Sequence, residues 1–574
     1  MTEEMKTNTQ ADEPVMLSGA QIVIEELVKH GVDTVFGYPG GAVLPLYDEL
    51  YKNSDRITHI ISAHEQGAAH AADGYARVSG KTGVVIATSG PGATNLVTGI
   101  ANAYLDSVPM VAITGNVPAP LLGKDSFQEV DIVGITQPVV KHNFVMRDVG
   151  KLSRILTEAF AIANSGRKGP VLIDIPKSVQ TDLVAYDPRK TPFKQKQPKP
   201  YDLSEAIDAI KKSRRPFIYA GGGVIASGAE EQLLELSKWI SAPVGLSMMG
   251  LTALPASYPL NLGMCGMHGN YASTVAQSEC DLMIALGVRF SDRATGNVDA
   301  YRKACTIVHI DIDHAEHGKN VESHIEITGD LKQVIGELLD RLPSHRNDEW
   351  IERIEELKKV DEPIESSEFT PQNILAKVRE HFDDDTVVAT DVGQHQMWTM
   401  LHFPFEKPRT LLTSGGLGTM GYGMGAAIGG AVAKGRRPTI LITSDGSFGM
   451  NLTELATAVT QRLPLVVIVL NNGVLGMVRQ WQGMFHGQRY SQTTLDRRTD
   501  FAALAEAFGG IGYKATTLDE LEAALESLNA DGPTVIECAI DRDELVLPMI
   551  PPGGTADDII TRHDVTSKGG DEDE

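Results

Sequence analysis

Asp445 follows one apolar run of β-formers and Asn472, 27 positions later, ends the next. The first run is Thr439-Ile-Leu-Ile-Thr443, continuing into Ser444-Asp-Gly-Ser-Phe-Gly-Met-Asn451, and the second is Leu465-Val-Val-Ile-Val-Leu470, continuing into Asn471-Asn472. Between them Leu452, Leu455, Ala456 and Val459 recur at helical spacing. The segment therefore predicts strand, turn, helix and strand, with both polar tips at the carboxyl ends of adjacent parallel strands. An acidic side chain, an amide oxygen and exposed backbone carbonyls make an all-oxygen set suited to Mg2+, which takes octahedral coordination and commonly binds through diphosphates. The backbone N–H groups of Gly446 and Ser447, at the start of the helix, would take the diphosphate. An ordinary crossover unit with a tight turn and a polar loop reads the same residues without a ligand.

A second carboxylate, Glu65, stands where the strand candidate Thr58-His-Ile-Ile-Ser-Ala63 runs into a helix of small residues, Ala68-Ala-His-Ala-Ala-Asp-Gly-Tyr75. A carboxylate at a strand end, against glycine and alanine, suits close approach of a ligand; a first-turn acid is also favoured by the helix dipole alone. In mid-chain, Pro216-Phe-Ile-Tyr-Ala-Gly-Gly-Gly-Val224 is a strand running into three glycines, without the full spacing of a dinucleotide fingerprint. Two further strands, Asp281-Leu-Met-Ile-Ala-Leu-Gly-Val-Arg-Phe290 and Thr306-Ile-Val-His-Ile-Asp-Ile-Asp313, end in polar residues, the latter with acids placed to bind a ribose hydroxyl.

The elements that must position these groups alternate β-runs with amphipathic helices, as in Thr82-Gly-Val-Val-Ile-Ala-Thr88 and Met110-Val-Ala-Ile-Thr114. The fold class is α/β, with three doubly wound parallel-sheet domains. At 574 residues the chain exceeds a single core. The punctuation divides it into residues 14–185, 201–345 and 370–550, with an acidic tail at 551–574. A Pro/Lys linker lies between the first two and a charged stretch, expected to contain a solvated helix, between the last two. The net charge of -24 argues against nucleic-acid partners and anionic membranes, and is also compatible with adaptation to high salt. Cys265, Cys280, Cys305 and Cys538 show no CxxC spacing and read as reduced thiols. Neither a secretory leader nor an apolar stretch of transmembrane length is read, so a cytoplasmic protein is expected.

His64-Glu-Gln-Gly-Ala-Ala-His-Ala-Ala-Asp-Gly-Tyr-Ala-Arg77 and Thr88-Ser-Gly-Pro-Gly-Ala-Thr-Asn95 resemble the pyrimidine-binding domain of thiamine diphosphate enzymes. The Asp445-to-Asn472 spacing resembles their metal motif, with Ser444 in place of its first glycine. Over roughly residues 15–552 the chain resembles the catalytic subunits of the acetohydroxyacid synthase (acetolactate synthase) family. The resemblance implies that pyruvate is decarboxylated on thiamine diphosphate and its two-carbon unit passed to a second pyruvate or to 2-oxobutanoate, feeding valine, leucine and isoleucine synthesis. It makes Glu65 the catalytic carboxylate beside the aminopyrimidine. Gln394 and His395 become diphosphate contacts, and Met420, Met450 and Met477 pack against the cofactor. Asp445, Asn472 and the backbone carbonyl of Val474 become the Mg2+ ligands, Val474 standing where the family often has glutamate. FAD, in a structural role, falls to Arg167, Gly222, Gly223, His268, Arg289 and Asp311. Arg293 would bind the carboxylate of the second 2-oxoacid, as a planar guanidinium can. Trp481 would favour the larger acceptor, and Phe127, Gln128 and Lys177 would line the entrance.

The same resemblance implies a homodimer or homotetramer, with Glu65 and Asp445 meeting across the dimer interface, and is compatible with a small regulatory subunit. A pyruvate oxidase using FAD and thiamine diphosphate is the main alternative, opposed by the Arg293–Trp481 pair. A glyoxylate carboligase is opposed by Glu65, and a nucleotide-binding regulatory protein by retention of Glu65, Asp445 and Asn472 together.

Overall fold

The computed structural model describes residues 15–187, 201–303, 305–362, 366–562 and 564. The linker at 188–200, the acidic N-terminal residues and the final acidic residues lie outside them. Three six-stranded sheets, all parallel, form the frame. The first contains Thr34–Tyr38, Thr58–Ile61, Gly83–Ala87, Met110–Asn116, His142–Val145 and Pro170–Pro176. The central sheet contains Pro216–Ala220, Val244–Leu246, Asn261–Met264, Leu282–Leu286, Thr306–Asp311 and Ile325–Thr328. The third contains Val387–Thr390, Leu411–Leu412, Thr439–Ser444, Leu465–Asn471, Ile511–Ala515 and Thr534–Ala539.

With strands numbered along the chain within each sheet, the outer two share the spatial order 2-1-3-4-6-5, whereas the central one runs 3-2-1-4-5-6. In each case the winding reverses beside the first strand, and a crevice opens at the carboxyl ends of the strands there. Thr88 to Gly92, Gly221 to Gly223 and Ser444 to Ser447 all follow strands that flank such a crevice. The strands read as unbroken apolar runs because helices cover both faces, and Met110–Asn116 and Pro170–Pro176 are buried throughout.

The outer units meet through two helices, Glu65–Ser79 and Tyr422–Ala433, whose facing residues are glycine and alanine. A Cβ on Gly429 would lie 1.9 Å from Ala71 O, and one on Gly74 2.3 Å from Ala426 O. The backbones can approach this closely only because those side chains are absent. Arg77 is held in the same contact by Asp73 (2.6 Å) and Asp106 (2.9 Å), and the Tyr422 hydroxyl donates to Asp73 at 2.7 Å.

Two expectations are corrected. The helix in the charged stretch, Asp348–Lys358, is not solvated all round: Trp350, Ile354 and Leu357 are buried, and Trp350 Nε1 donates to Pro216 O at 3.0 Å. Polar residues dominate its sequence because only one stripe faces the core. Residues 551–562 are not extended; they turn through Ala556–Asp558, where Thr555 and Asp558 cap each other, and Gly554 O accepts from Asn297 N at 3.2 Å. An antiparallel ribbon of Val15–Ser18 with Leu183–Tyr186 carried no clear signal in the sequence. Among the described residues no helix is long and apolar enough to cross a membrane, and all four cysteines are buried free thiols.

Candidate active site

Thr439–Ser444 and Leu465–Asn471 pair in parallel with Ser444 opposite Leu470, which sets the two polar tips side by side. Ser444 is extended and its side chain accepts from Ser447 N at 3.4 Å, capping the short helix that follows. Asp445 is 6% exposed, and among the described residues its Oδ1 has no partner. Burial pushes this carboxyl up to about 6. Asn472 Oδ1 accepts from Val474 N at 3.2 Å, across a turn made by Gly473 at φ 67°. A buried carboxylate oxygen without a donor, beside an amide oxygen and the backbone of Val474, fits a hard cation such as Mg2+. Residues Thr493 to Leu495 fold over this turn: Leu475 N donates to Thr493 O and Leu495 N to Gly473 O, both at 2.8 Å.

His395 and Gln394 begin the helix Gln394–His402. Burial pushes His395 down to about 3, and among the described residues its Nε2 has no partner, which leaves it for a ligand. Gln394 beside it is held by three hydrogen bonds. Its Nε2 donates to Gln480 Oε1 (3.0 Å) and Glu544 O (2.9 Å), and its Oε1 accepts from Asn472 Nδ2 (3.3 Å). It orients Asn472, and a Cβ on Gly476 would fall 1.9 Å from its Oε1. Met420 and Met477 are half-buried, and Met450 is 60% exposed. Gly446 leaves room between Met420 and Leu475, the latter's Cδ2 lying 3.0 Å from where a Cβ would stand.

Glu65 opens the helix Glu65–Ser79, capped by His64, whose ring accepts from Gln66 N at 3.2 Å. Its Oε2 accepts from Asn95 Nδ2 at 2.9 Å, and its Oε1 lies 3.2 Å from where a Cβ on Gly92 would sit. Glu454 of the third unit caps the same helix, its carboxylate accepting from Ala63 N (3.1 Å) and His64 N (3.0 Å). Gln128, at φ 59°, packs its backbone on the Gly90 turn, while Phe127 is 87% exposed and Lys177 half-buried. Among the described residues no hydrogen bond or ion pair joins Glu65 to Asp445, although Glu454 brings the third unit against the start of the Glu65–Ser79 helix.

Arg293, from the central unit, places its guanidinium 5.6 Å from the ring centre of Trp481, from the third. In the central crevice Gly223 and Gly287 approach so closely that a Cβ on Gly223 would lie 2.7 Å from Gly287 Cα, and Gly222 faces Met249. Burial, then the Arg167 charge, holds Arg289 below its ordinary value, and burial pushes Asp311 up to about 6. Arg167 Nη1 contacts Glu316 Oε1 at 2.6 Å, while among the described residues buried Glu316 Oε2 and His268 Nδ1 have no partner. His268 is pushed down to about 4 by burial. Two crowded arginines, facing glycines and orphaned polar atoms at a reversal of winding fit a dinucleotide such as FAD.

Residues 17–135, 203–338 and 391–538 match the N-terminal TPP binding, central and C-terminal TPP binding domains of the thiamine pyrophosphate enzymes. A probable acetolactate synthase large subunit of Methanocaldococcus jannaschii is 46% identical over 565 residues, covering 95% of each chain. The acetolactate synthase isozyme 2 large subunit of Escherichia coli is 44% identical over 553 residues, covering 95% of this chain and 100% of its own. The chain belongs to the acetolactate synthase large-subunit family. Several residues that build this family member's site carried no signal in the sequence. Asn95, Glu454, Gln480 and Asp106 matter through partners far away in the chain. The nearest available hint was Asn95, which ends a segment already matched to the pyrimidine domain.

Proposed function

We propose that this chain is an acetolactate synthase large subunit, a transferase that joins the two-carbon unit of pyruvate to a second pyruvate or to 2-oxobutanoate. The observation that carries the reading is Asp445 Oδ1, buried without a partner in the crevice of the third sheet. Asp445, Asn472 and the Val474 carbonyl hold Mg2+, and His395 with the backbone of Gly446 and Ser447 meets the diphosphate. When bound, thiamine diphosphate supplies the nucleophilic carbon and the electron sink for decarboxylation. Glu65, oriented by Asn95, shares a proton at the pyrimidine ring nitrogen. Met420, Met450 and Met477 pack beside the cofactor. Gln394 acts one step back, holding Asn472.

Arg293 takes the acceptor's carboxylate, and the Trp481 ring stacked near it offers an apolar face to the larger acceptor. Phe127, Gln128 and Lys177 border the entrance. Arg167, Gly222, Gly223, His268, Arg289 and Asp311 hold FAD. The complete site is built between two protomers of a dimer or tetramer in the cytoplasm, a reading supported by the placement of Glu65 in the first unit and Asp445 in the third; a small regulatory subunit is the natural further partner of a large subunit. The pyruvate oxidase alternative is not favoured, since the matched relatives are acetolactate synthases. Supplied with the three cofactors and pyruvate, the purified chain should release CO2 with formation of 2-acetolactate; acetate or acetyl phosphate formed with reduction of an electron acceptor would overturn the reading.

A further inference from the structure

The loop between Ser414 and Met420 has little packing of its own: Gly415, Gly416, Leu417 and Gly418 are all exposed. It is held by the first unit of the chain. The carboxylate of Asp106, fully buried, accepts from Gly416 N at 2.7 Å through Oδ1 and from Gly415 N at 3.1 Å through Oδ2. Ser414 Oγ donates to Asn102 Oδ1 at 2.6 Å, and Thr419 N donates to Ser414 Oγ at 2.9 Å. A side chain on Gly416 would lie 2.9 Å from Asp106 Oδ1, so the carboxylate is seated directly against the loop backbone.

The residues flanking Asp106 are in turn held from the flavin side. Arg167 Nε donates to Ser107 Oγ at 2.7 Å and its Nη2 to Leu105 O at 3.4 Å, while Nη1 reaches Glu316 of the central unit. Ser107 sits at φ 60°, a left-handed conformation held in place by its neighbours. A second contact runs parallel: Met249 lies under Gly222 and also against Gly415, where a Cβ would be 2.4 Å from its sulfur. Both routes begin at residues assigned to the flavin crevice and end on the loop that carries Met420.

We propose that Asp106 is a positioning residue that couples the two cofactor sites, transmitting occupancy of the flavin crevice through Arg167 to the order of the Ser414–Met420 loop. The inference rests on the reading of that crevice as the FAD site. Flavin bound against Arg167 fixes the backbone at Leu105 and Ser107, which fixes the Asp106 carboxylate and hence the Gly415 and Gly416 amides. Thiamine diphosphate then meets a loop already in place, and the ordering cost is removed from its binding.

The test is amide hydrogen exchange of residues 414–421 in the cofactor-free full-length protein, with and without FAD and with no thiamine diphosphate present. FAD alone should slow exchange at Gly415 and Gly416 by about tenfold. In Asp106→Asn, FAD should still bind, as read from its visible absorbance on the protein, while the slowing is lost and thiamine diphosphate binds about tenfold more weakly. Excess thiamine diphosphate should then restore kcat, which a general loss of structure would not allow. Because Asp106 also pairs with buried Arg77, Ser107→Gly is the second variant: it removes the Arg167 Nε–Ser107 Oγ bond without touching that ion pair and should also weaken the FAD effect on exchange. Bound FAD without slowing in the unmodified protein, or full slowing in both variants, would overturn the coupling. Failure of FAD to bind the unmodified protein at all would instead remove the flavin reading on which it rests.

Discussion

Gly476→Ala tests whether Gln394 holds Asn472, a proposed metal ligand. The new Cβ would stand 1.9 Å from Gln394 Oε1 and 2.9 Å from Asn472 Nδ2. Non-bonded carbon contacts settle at roughly 3.5 Å, so the Gln394 amide must retreat by about 1.5 Å. It has no free direction, because its Nε2 is fixed by Gln480 Oε1 at 3.0 Å and Glu544 O at 2.9 Å, and Gln394 and Gln480 are both buried. Whichever bond breaks leaves a buried polar group unmet, at about 1–3 kcal/mol. With about 2 kcal/mol falling on the Asn472 contact, Mg2+ binding weakens by about 30-fold. Titration of Mg2+ at saturating thiamine diphosphate, followed by tryptophan fluorescence, reads this directly. Gly336→Ala is the control, since a Cβ there meets nothing within 4 Å. Mg2+ affinity within twofold of the unmodified protein in Gly476→Ala would refute the Gln394–Asn472 assignment.

Glu65→Gln should keep thiamine diphosphate bound but slow exchange of its thiazolium C2 hydrogen with deuterated solvent; exchange at the unmodified rate would remove Glu65 from its role. Gly429→Ala, with its Cβ 1.9 Å from Ala71 O, should cost about 1–3 kcal/mol or more by forcing apart the Glu65–Ser79 and Tyr422–Ala433 helices, measured as a lower denaturation midpoint. Burial pushes Asp174 up to about 6 although Thr114 and Asn116 both donate to it. A carboxyl raised in the folded state binds its proton there while the unfolded chain has lost it, so its contribution is full below about pH 4 and is lost as pH rises to about 6. The stability difference between the unmodified protein and Asp174→Asn should therefore fall by about 2 kcal/mol across that window, and a flat difference would contradict the shift.

The parallel sheets were legible because strands covered on both faces must be continuous apolar runs, and Asp445 and Asn472 were legible because short spacing placed them on neighbouring strands. Their partners were not. Glu454 looks like any first-turn acid until the fold brings it to the helix carrying Glu65, 389 positions earlier in the chain. The bonds of Gln394 to Gln480 and Glu544 were not legible either, because those partners lie 86 and 150 positions away. The segment from Thr493 to Leu495 has no periodicity that would place it over the Gly473 turn, and its pairing with Gly473 to Leu475 is a consequence of packing. Residues 551–562 read as a tail because Gly and Pro punctuate them, although backbone hydrogen bonds fasten Gly554 and Ile560 to the body of the protein.

Carbon–carbon bond formation between two 2-oxoacids is tested most directly by product analysis after incubation with isotope-labelled pyruvate and unlabelled 2-oxobutanoate together. The prediction is 2-acetolactate and 2-aceto-2-hydroxybutanoate, both carrying the label in the transferred two-carbon unit, with no reduction of an added electron acceptor. Acetate or acetyl phosphate formed in step with acceptor reduction, or label appearing only in released CO2 and free acetaldehyde, would contradict it.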